Sequence, residues 1–152
     1  MSSSSLSFCS WNVRGLGDEG KCTEVLSELI SLKPNLLLLR ETKLFAPTQL
    51  KLRSFLPSFL DDASFLPACG TAGGLLTAVS TSSLSVKSHA NHSFCSSVTL
   101  QSLACQTPFV VTDMYAPTAR SLKSVFLDEL KSIAPPNNTP WLVIGDFNLI
   151  RF

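Results

Sequence analysis

Four consecutive leucines, Leu36 to Leu39, stand between Pro34-Asn35 and Arg40-Glu41. A run this short and uninterrupted has no wet face, so it predicts a strand buried on both sides. What precedes it decides the kind of sheet. Leu6 to Val13 sets apolar residues at Leu6, Phe8, Trp11 and Val13, a mostly alternating strand pattern that Gly15 and Gly17 break. From Lys21 to Leu32 the apolar positions Cys22, Val25, Leu26, Leu29 and Ile30 recur at helical spacing, with Glu24 and Glu28 on the wet face and Asp18 placed as N-cap. Strand, helix and strand within about forty residues have the dimensions of a βαβ unit. Its two strands end at Asn12 and Glu41, so polar residues at neighbouring strand ends can face one cleft.

The rest reads as shorter pieces. Leu50 to Leu60 predicts a short helix broken by Pro57. Gly73-Gly74 leads into a strand over Leu75 to Val79, followed by strands over Leu84 to His89, Cys95 to Leu100 and Pro108 to Tyr115. Short strands joined by Ser, Asn and Gly turns predict an antiparallel meander. Ala119 to Ile133 is a second amphipathic helix, with Leu122, Val125, Phe126, Leu130 and Ile133 on one stripe and Pro135-Pro136 ending it. Trp141 to Gly145 is another buried strand, running straight into Asp146, Phe147 and Asn148.

Charge gives little help. The net charge is +1 and 15% of residues are charged, so there is no global attraction for a polyanion. Lys87 is the only Lys, Arg, Asp or Glu between Ala63 and Thr112, and any grip on nucleic acid must rest on local groups such as Arg14, Lys43, Lys51, Arg53 or Arg120. Five cysteines without a CxxC pair suggest neither a zinc site nor a disulfide framework. The start of the chain lacks a signal-peptide pattern and no apolar stretch approaches membrane-spanning length, so the reading is no membrane partner and an intracellular setting.

Taken singly, the polar residues at strand ends have dull explanations. Asn12 can start a turn, Glu41 can be solvated, and Asp146 after Gly145 is a common turn residue. Together they say more. Asp146 and Asn148 are two apart, and if strand geometry continues they point the same way, a proton acceptor beside a hydrogen-bond donor. Glu41 and Asn12 offer a carboxylate and an amide oxygen, a hard-oxygen pair of the kind that magnesium takes alongside water and substrate phosphate.

Four segments then appear in order: Ser10-Trp11-Asn12-Val13-Arg14-Gly15, Arg40-Glu41-Thr42-Lys43, Tyr115-Ala116-Pro117-Thr118 and Ile144-Gly145-Asp146-Phe147-Asn148. This series resembles the endonuclease/exonuclease/phosphatase superfamily, which includes deoxyribonuclease I, and its flavour is similar to the endonuclease domains of plant LINE-type retroelements. The resemblance implies an α/β (α+β) fold, a two-layer β-sandwich flanked by helices, and a Mg²⁺-dependent hydrolase of DNA phosphodiesters, with Mn²⁺ as the other usable ion. It implies Asn12 and Glu41 as metal ligands, Asp146 as the base for the attacking water, Asn148 and Tyr115 as partners of water and phosphoryl oxygens, and Arg14, Lys43 and Thr118 as weaker substrate contacts.

The departures shape the expectation. Family members continue past the Asp-x-Asn motif to an Asp and a Ser-Asp-His type motif, whereas the sequence given ends at Phe152 and its only histidines, His89 and His92, do not match that position. Arg40 stands where Gln is usual, and Thr118 where some relatives have a phosphate-contacting Asn. The sequence therefore reads as one partial domain over residues 1–152, with the nuclease weak or inactive in this form. A non-catalytic remnant and a phosphomonoesterase of the same fold are the alternatives. An uncovered sheet face is expected to favour self-association. A nuclear address fits a retroelement origin, although no cluster of Lys and Arg marks one.

Overall fold

In the computed structural model the described residues are 5–68 and 73–148; Cys69, the serine-rich start and the residues after Asn148 lie outside them. The predicted βαβ unit is present. Strand β1 (Phe8–Asn12) leads to α1 (Glu19–Leu32) and back to β2 (Leu36–Arg40), which pairs with β1 in parallel, Asn12 opposite Arg40. Helix α1 starts where Asp18 accepts a hydrogen bond from the Gly20 backbone N–H, and ends at Lys33, whose left-handed backbone (φ 49°) precedes Pro34. Cys22, Val25 and Leu29 are buried beneath it, but Ile30 lies beyond the edge of the stripe and is 51% exposed.

After β2 come α2 (Gln49–Arg53), β3 (Asp62–Leu66), β4 (Leu75–Val79), β5 (Leu84–Asn91), β6 (Cys95–Ser102), β7 (Pro108–Tyr115), a 3₁₀ turn (Arg120–Leu122), α3 (Lys123–Ser132) and β8 (Trp141–Asp146). They form two four-stranded sheets, in the orders β1-β2-β4-β3 and β5-β6-β7-β8. The antiparallel meander holds for β5, β6 and β7, whereas β4 belongs to the first sheet, antiparallel to β2 and β3. Strand β3 was not foreseen, because Asp61-Asp62 and Ser64 hide a half-buried edge strand behind polar residues. Helix α2 is one short turn capped by Thr48, and the chain leaves it well before Pro57.

Period-2 alternation divides the faces. On β2, Leu37 and Leu39 meet Val25, Leu29 and Phe55 on the helical side, while Leu36 and Leu38 meet Leu84, Val98, Leu100 and Val111 of the second sheet. The inner faces of the two sheets thus cover one another over the described residues. On the far side of the second sheet, Phe126 of α3 is buried against Cys95, Met114 and Ala116. The rest of the predicted α3 stripe is only partly used: Leu130 and Ile133 pack, but Leu122 and Val125 are exposed. The 3₁₀ turn puts Leu122 out of phase with the helix that follows. The edge strands are also tied across the layers, His89 Nε2 lying 2.9 Å from Asp62 Oδ1 and Asn91 Nδ2 donating to the Phe65 carbonyl.

Candidate active site

Following the inner faces toward the C-terminal ends of the four parallel-paired strands, the side chains change from apolar to polar in step. Phe8 is followed by Ser10 and Asn12, Leu36 and Leu38 by Arg40, Phe109 and Val111 by Asp113 and Tyr115, and Ile144 by Asp146. In the first polar layer Arg40 and Asp113 are buried, while Ser10 is exposed. Arg40 donates to Ser10 Oγ at 2.8 Å and to Asp113 Oδ1 at 3.1 Å, bridging β1, β2 and β7 across the sandwich. Burial raises the Asp113 carboxyl to about 7 even though Arg40, and a bond from the Met114 backbone, pull it down. Asp113 Oδ2 and Arg40 Nε are buried without a hydrogen-bond partner in the structure.

The next layer holds the residues nominated from sequence. Tyr115 donates its hydroxyl hydrogen to Glu41 Oε1 at 2.8 Å, joining the two sheets at their rims. That bond, with burial and the charges of Glu41 and Asp146, raises the phenol to about 12, so it stays a donor. Tyr115 and Asp146 are register partners on neighbouring strands. Strand parity alone would turn Glu41 outward with Leu37 and Leu39. Its left-handed backbone (φ 54°) breaks the alternation and aims it inward. Among the described residues five non-glycines have positive φ; Lys33 ends a helix, and the others are Arg14, Glu41, Lys43 and Asn148. Backbone strain of this kind concentrates at functional sites.

Asn12 is spent partly on local structure, its Oδ1 accepting the Arg14 N–H at 3.1 Å. Strand geometry does not continue through Asn148, which corrects the expectation that it points alongside Asp146. Its N–H turns back to Asp146 Oδ1 at 3.1 Å and its Nδ2 donates to the Ala116 carbonyl at 2.8 Å, so it braces both Asp146 and the turn after Tyr115. Gly145 permits the close approach of β8 to β7, since any Cβ there would run into the Met114 carbonyl oxygen. The glycine pair Gly73-Gly74 accepts the Lys43 and Thr42 N–H groups at 3.0 and 3.2 Å, fixing the loop after Glu41.

Arg14 and Lys43 are exposed on adjacent loops, Gly15 N–H donating to the Glu41 carbonyl at 2.7 Å, and Thr118 is exposed beyond Tyr115. Two of the cations named from sequence are elsewhere: Lys51 Nζ lies 3.3 Å from Cys22 Sγ under α1, and Arg53 donates to the Pro57 carbonyl. Sequence reading missed Lys123, which donates to the Asn148 carbonyl, and the Arg40–Asp113 pair. Asp113 carried a usable signal: a lone charge in the apolar run Pro108–Met114, in phase with Tyr115. Beside Tyr115 a cleft of about 360 Å³ opens, with Phe94 and Leu122 in its walls.

Comparison places this fold among the endonuclease/exonuclease/phosphatase, or deoxyribonuclease I-like, structures. The human Nocturnin catalytic domain with bound sulfate matches at a TM-score of 0.70 and 20% identity, over 95% of this chain and 64% of that one. Zebrafish (D. rerio) TDP2 complexed with a single-strand DNA product matches at 0.68 and 16%, over 96% and 62%. A Bacteroides thetaiotaomicron mannosyl-6-phosphatase matches at 0.66 and 10%, over 97% and 67%. The chain thus spans roughly two thirds of the length of the structures that it resembles. No family model matches the sequence, and no curated protein matches it.

Proposed function

We propose that this chain carries the phosphate-activating part of a Mg²⁺-dependent phosphodiester hydrolase acting on DNA, of the retroelement endonuclease type. The observation that supports it most is the Tyr115–Glu41 hydrogen bond across the two sheets, with Asp146 in register beside it. Glu41 and Asn12, with Asp146 at the opposite rim, present hard oxygen donors without His or Cys. Among the described residues no three His, Cys, Asp or Glu converge, a sparse set that suits Mg²⁺ completed by water and substrate rather than a closed protein cage. When bound, the ion would supply polarisation of the phosphoryl group and neutralisation of developing charge.

The remaining work falls to side chains. Tyr115, protonated through neutral pH, donates to a phosphoryl oxygen in place of Glu41. Asp146, its Oδ1 oriented by the Asn148 N–H, accepts the proton of the attacking water. Asn148 holds Asp146 and the Ala116 turn in one geometry, and Arg14, Lys43 and Thr118 give weak contacts to the flanking backbone.

A second reading is binding without cutting. His89 is engaged by Asp62 at the sheet edge and His92 borders a separate depression beside Ile133 and Pro135, so neither stands over Asp146. Plasmid nicking with Mg²⁺, beside Glu41→Ala and Asp146→Ala, separates the two. Nicking by the wild type that both variants lose supports the hydrolase; no nicking above the variants leaves the binding module.

A further inference from the structure

We infer that the cleft beside Tyr115 is a nucleobase site, and that the chain engages single-stranded nucleic acid with one base lifted out of its stack. The inference rests on the proposed phosphodiester reading and specifies its substrate. The cleft is about 360 Å³, at the small end of ligand pockets and large enough for a nucleobase. Its walls include Leu66, Leu75, Phe94, Tyr115, Pro117 and Leu122, and among the described residues no charged side chain lines it. Such a lining rejects a phosphate and suits a neutral flat group.

The walls are also held in place. Glu129 accepts the Ser93 and Phe94 N–H groups at 2.6 and 2.9 Å, and Phe94 meets Phe126 edge-on with ring centroids 6.0 Å apart. Gly73 and Gly74 border the cleft with backbone alone, and at Gly74 (φ +94°) a Cβ would collide with Thr42 Oγ1. The Ser93 hydroxyl brings a polar group to the lining, while apolar side chains offer faces for stacking. That division matches a base, apolar above and below and polar around its edge. Because Tyr115 belongs both to the cleft and to the Glu41 contact, a base seated there leaves its phosphate at the rim of the candidate active site.

The test is fluorescence anisotropy in EDTA, where nothing is cut, using a short labelled oligothymidylate, an equally long abasic sugar–phosphate oligomer, and a duplex. The oligothymidylate should bind about 5- to 150-fold more tightly than the abasic oligomer, and more tightly than the duplex. Ala119→Trp, which sends an indole into the cleft from an exposed turn, should bring the oligothymidylate down to the abasic affinity. Should that variant not melt cooperatively, Leu122→Ala decides: a reduced preference supports the site, and an unchanged one overturns it. Equal binding of the two oligomers, a preference for duplex, or full preference in folded Ala119→Trp also overturns it. Cleavage of the abasic oligomer with Mg²⁺, against Asp146→Asn, scores the hydrolase separately, and its failure leaves the anisotropy result standing.

Discussion

Replacing Glu41 with Gln tests the joint between the sheets directly. Tyr115 is the only tyrosine in the sequence, so the rise of tyrosinate absorbance with pH reports a single group. Its hydroxyl is raised from 10.0 to about 12, first by the hydrogen bond to Glu41, then by burial and by the charges of Glu41 and Asp146. Glu41→Gln keeps the length of the side chain but removes the charge and the anionic acceptor, so the midpoint should fall most of the way back toward 10. The interval corresponds to about 2.7 kcal/mol at face value, which solvent screening at this part-exposed rim reduces to about 1 kcal/mol. Because the folded value lies above the unfolded one, this stabilisation is complete below pH 10 and is withdrawn as pH rises through about 12. The variant should therefore lose part of the alkaline slope in its urea midpoints. A wild-type midpoint near 10 with circular dichroism intact would refute the hydrogen bond.

Three further outcomes are expected. Gly145→Ala drives a methyl group into the Met114 backbone and should cost about 2–4 kcal/mol in urea unfolding; a change below about 0.5 would show that the strands can part without penalty. Asp113→Ala strands the Arg40 guanidinium inside the sandwich and should cost about 3–5 kcal/mol, whereas replacing both partners with apolar residues of similar volume should recover most of it. Asp113 is raised to about 7, so between about pH 4 and 7 the folded state holds a proton that the unfolded chain has released; its contribution is full below pH 4 and fades as pH rises through 7. Asp113→Asn should flatten that slope, and urea midpoints that fall with pH as steeply as in the wild type would assign the proton to another group.

The elements legible in the sequence were those whose pattern serves one environment. Leu36 to Leu39 has no wet side, and α1 carries its cap, its stripe and its stop within a short stretch. Strand β3 was illegible because Asp62 is explained by a partner far along the chain, His89 on β5. The assignment of β4 to the first sheet rests on pairing with β2 and β3, which local alternation does not encode. At the candidate site, Asn12, Glu41, Tyr115 and Asp146 were legible as strand-end residues. The engagement of Asn148 with Ala116 was not, because it depends on where β8 stops.

Local pattern also assigns Glu41 to the wrong side of the sheet. By alternation it belongs with Leu37 and Leu39 under the helices, where an ionised carboxylate has no partner and burial would be costly. The chain resolves the conflict by leaving the strand: Glu41 takes a left-handed backbone, its carbonyl accepts the Gly15 N–H, and Thr42 and Lys43 lock onto Gly74 and Gly73. The strain is thus borne by hydrogen bonds from two neighbouring loops, and the carboxylate arrives at Tyr115 without disturbing the leucines behind it. Gly74→Ala, whose Cβ would push into Thr42, should therefore loosen the Tyr115–Glu41 hydrogen bond, read as a fall in the tyrosinate midpoint, while β2 and its core contacts persist. The fold supplies the sheets, and the loops after β1 and β2 turn a buried strand end into a site.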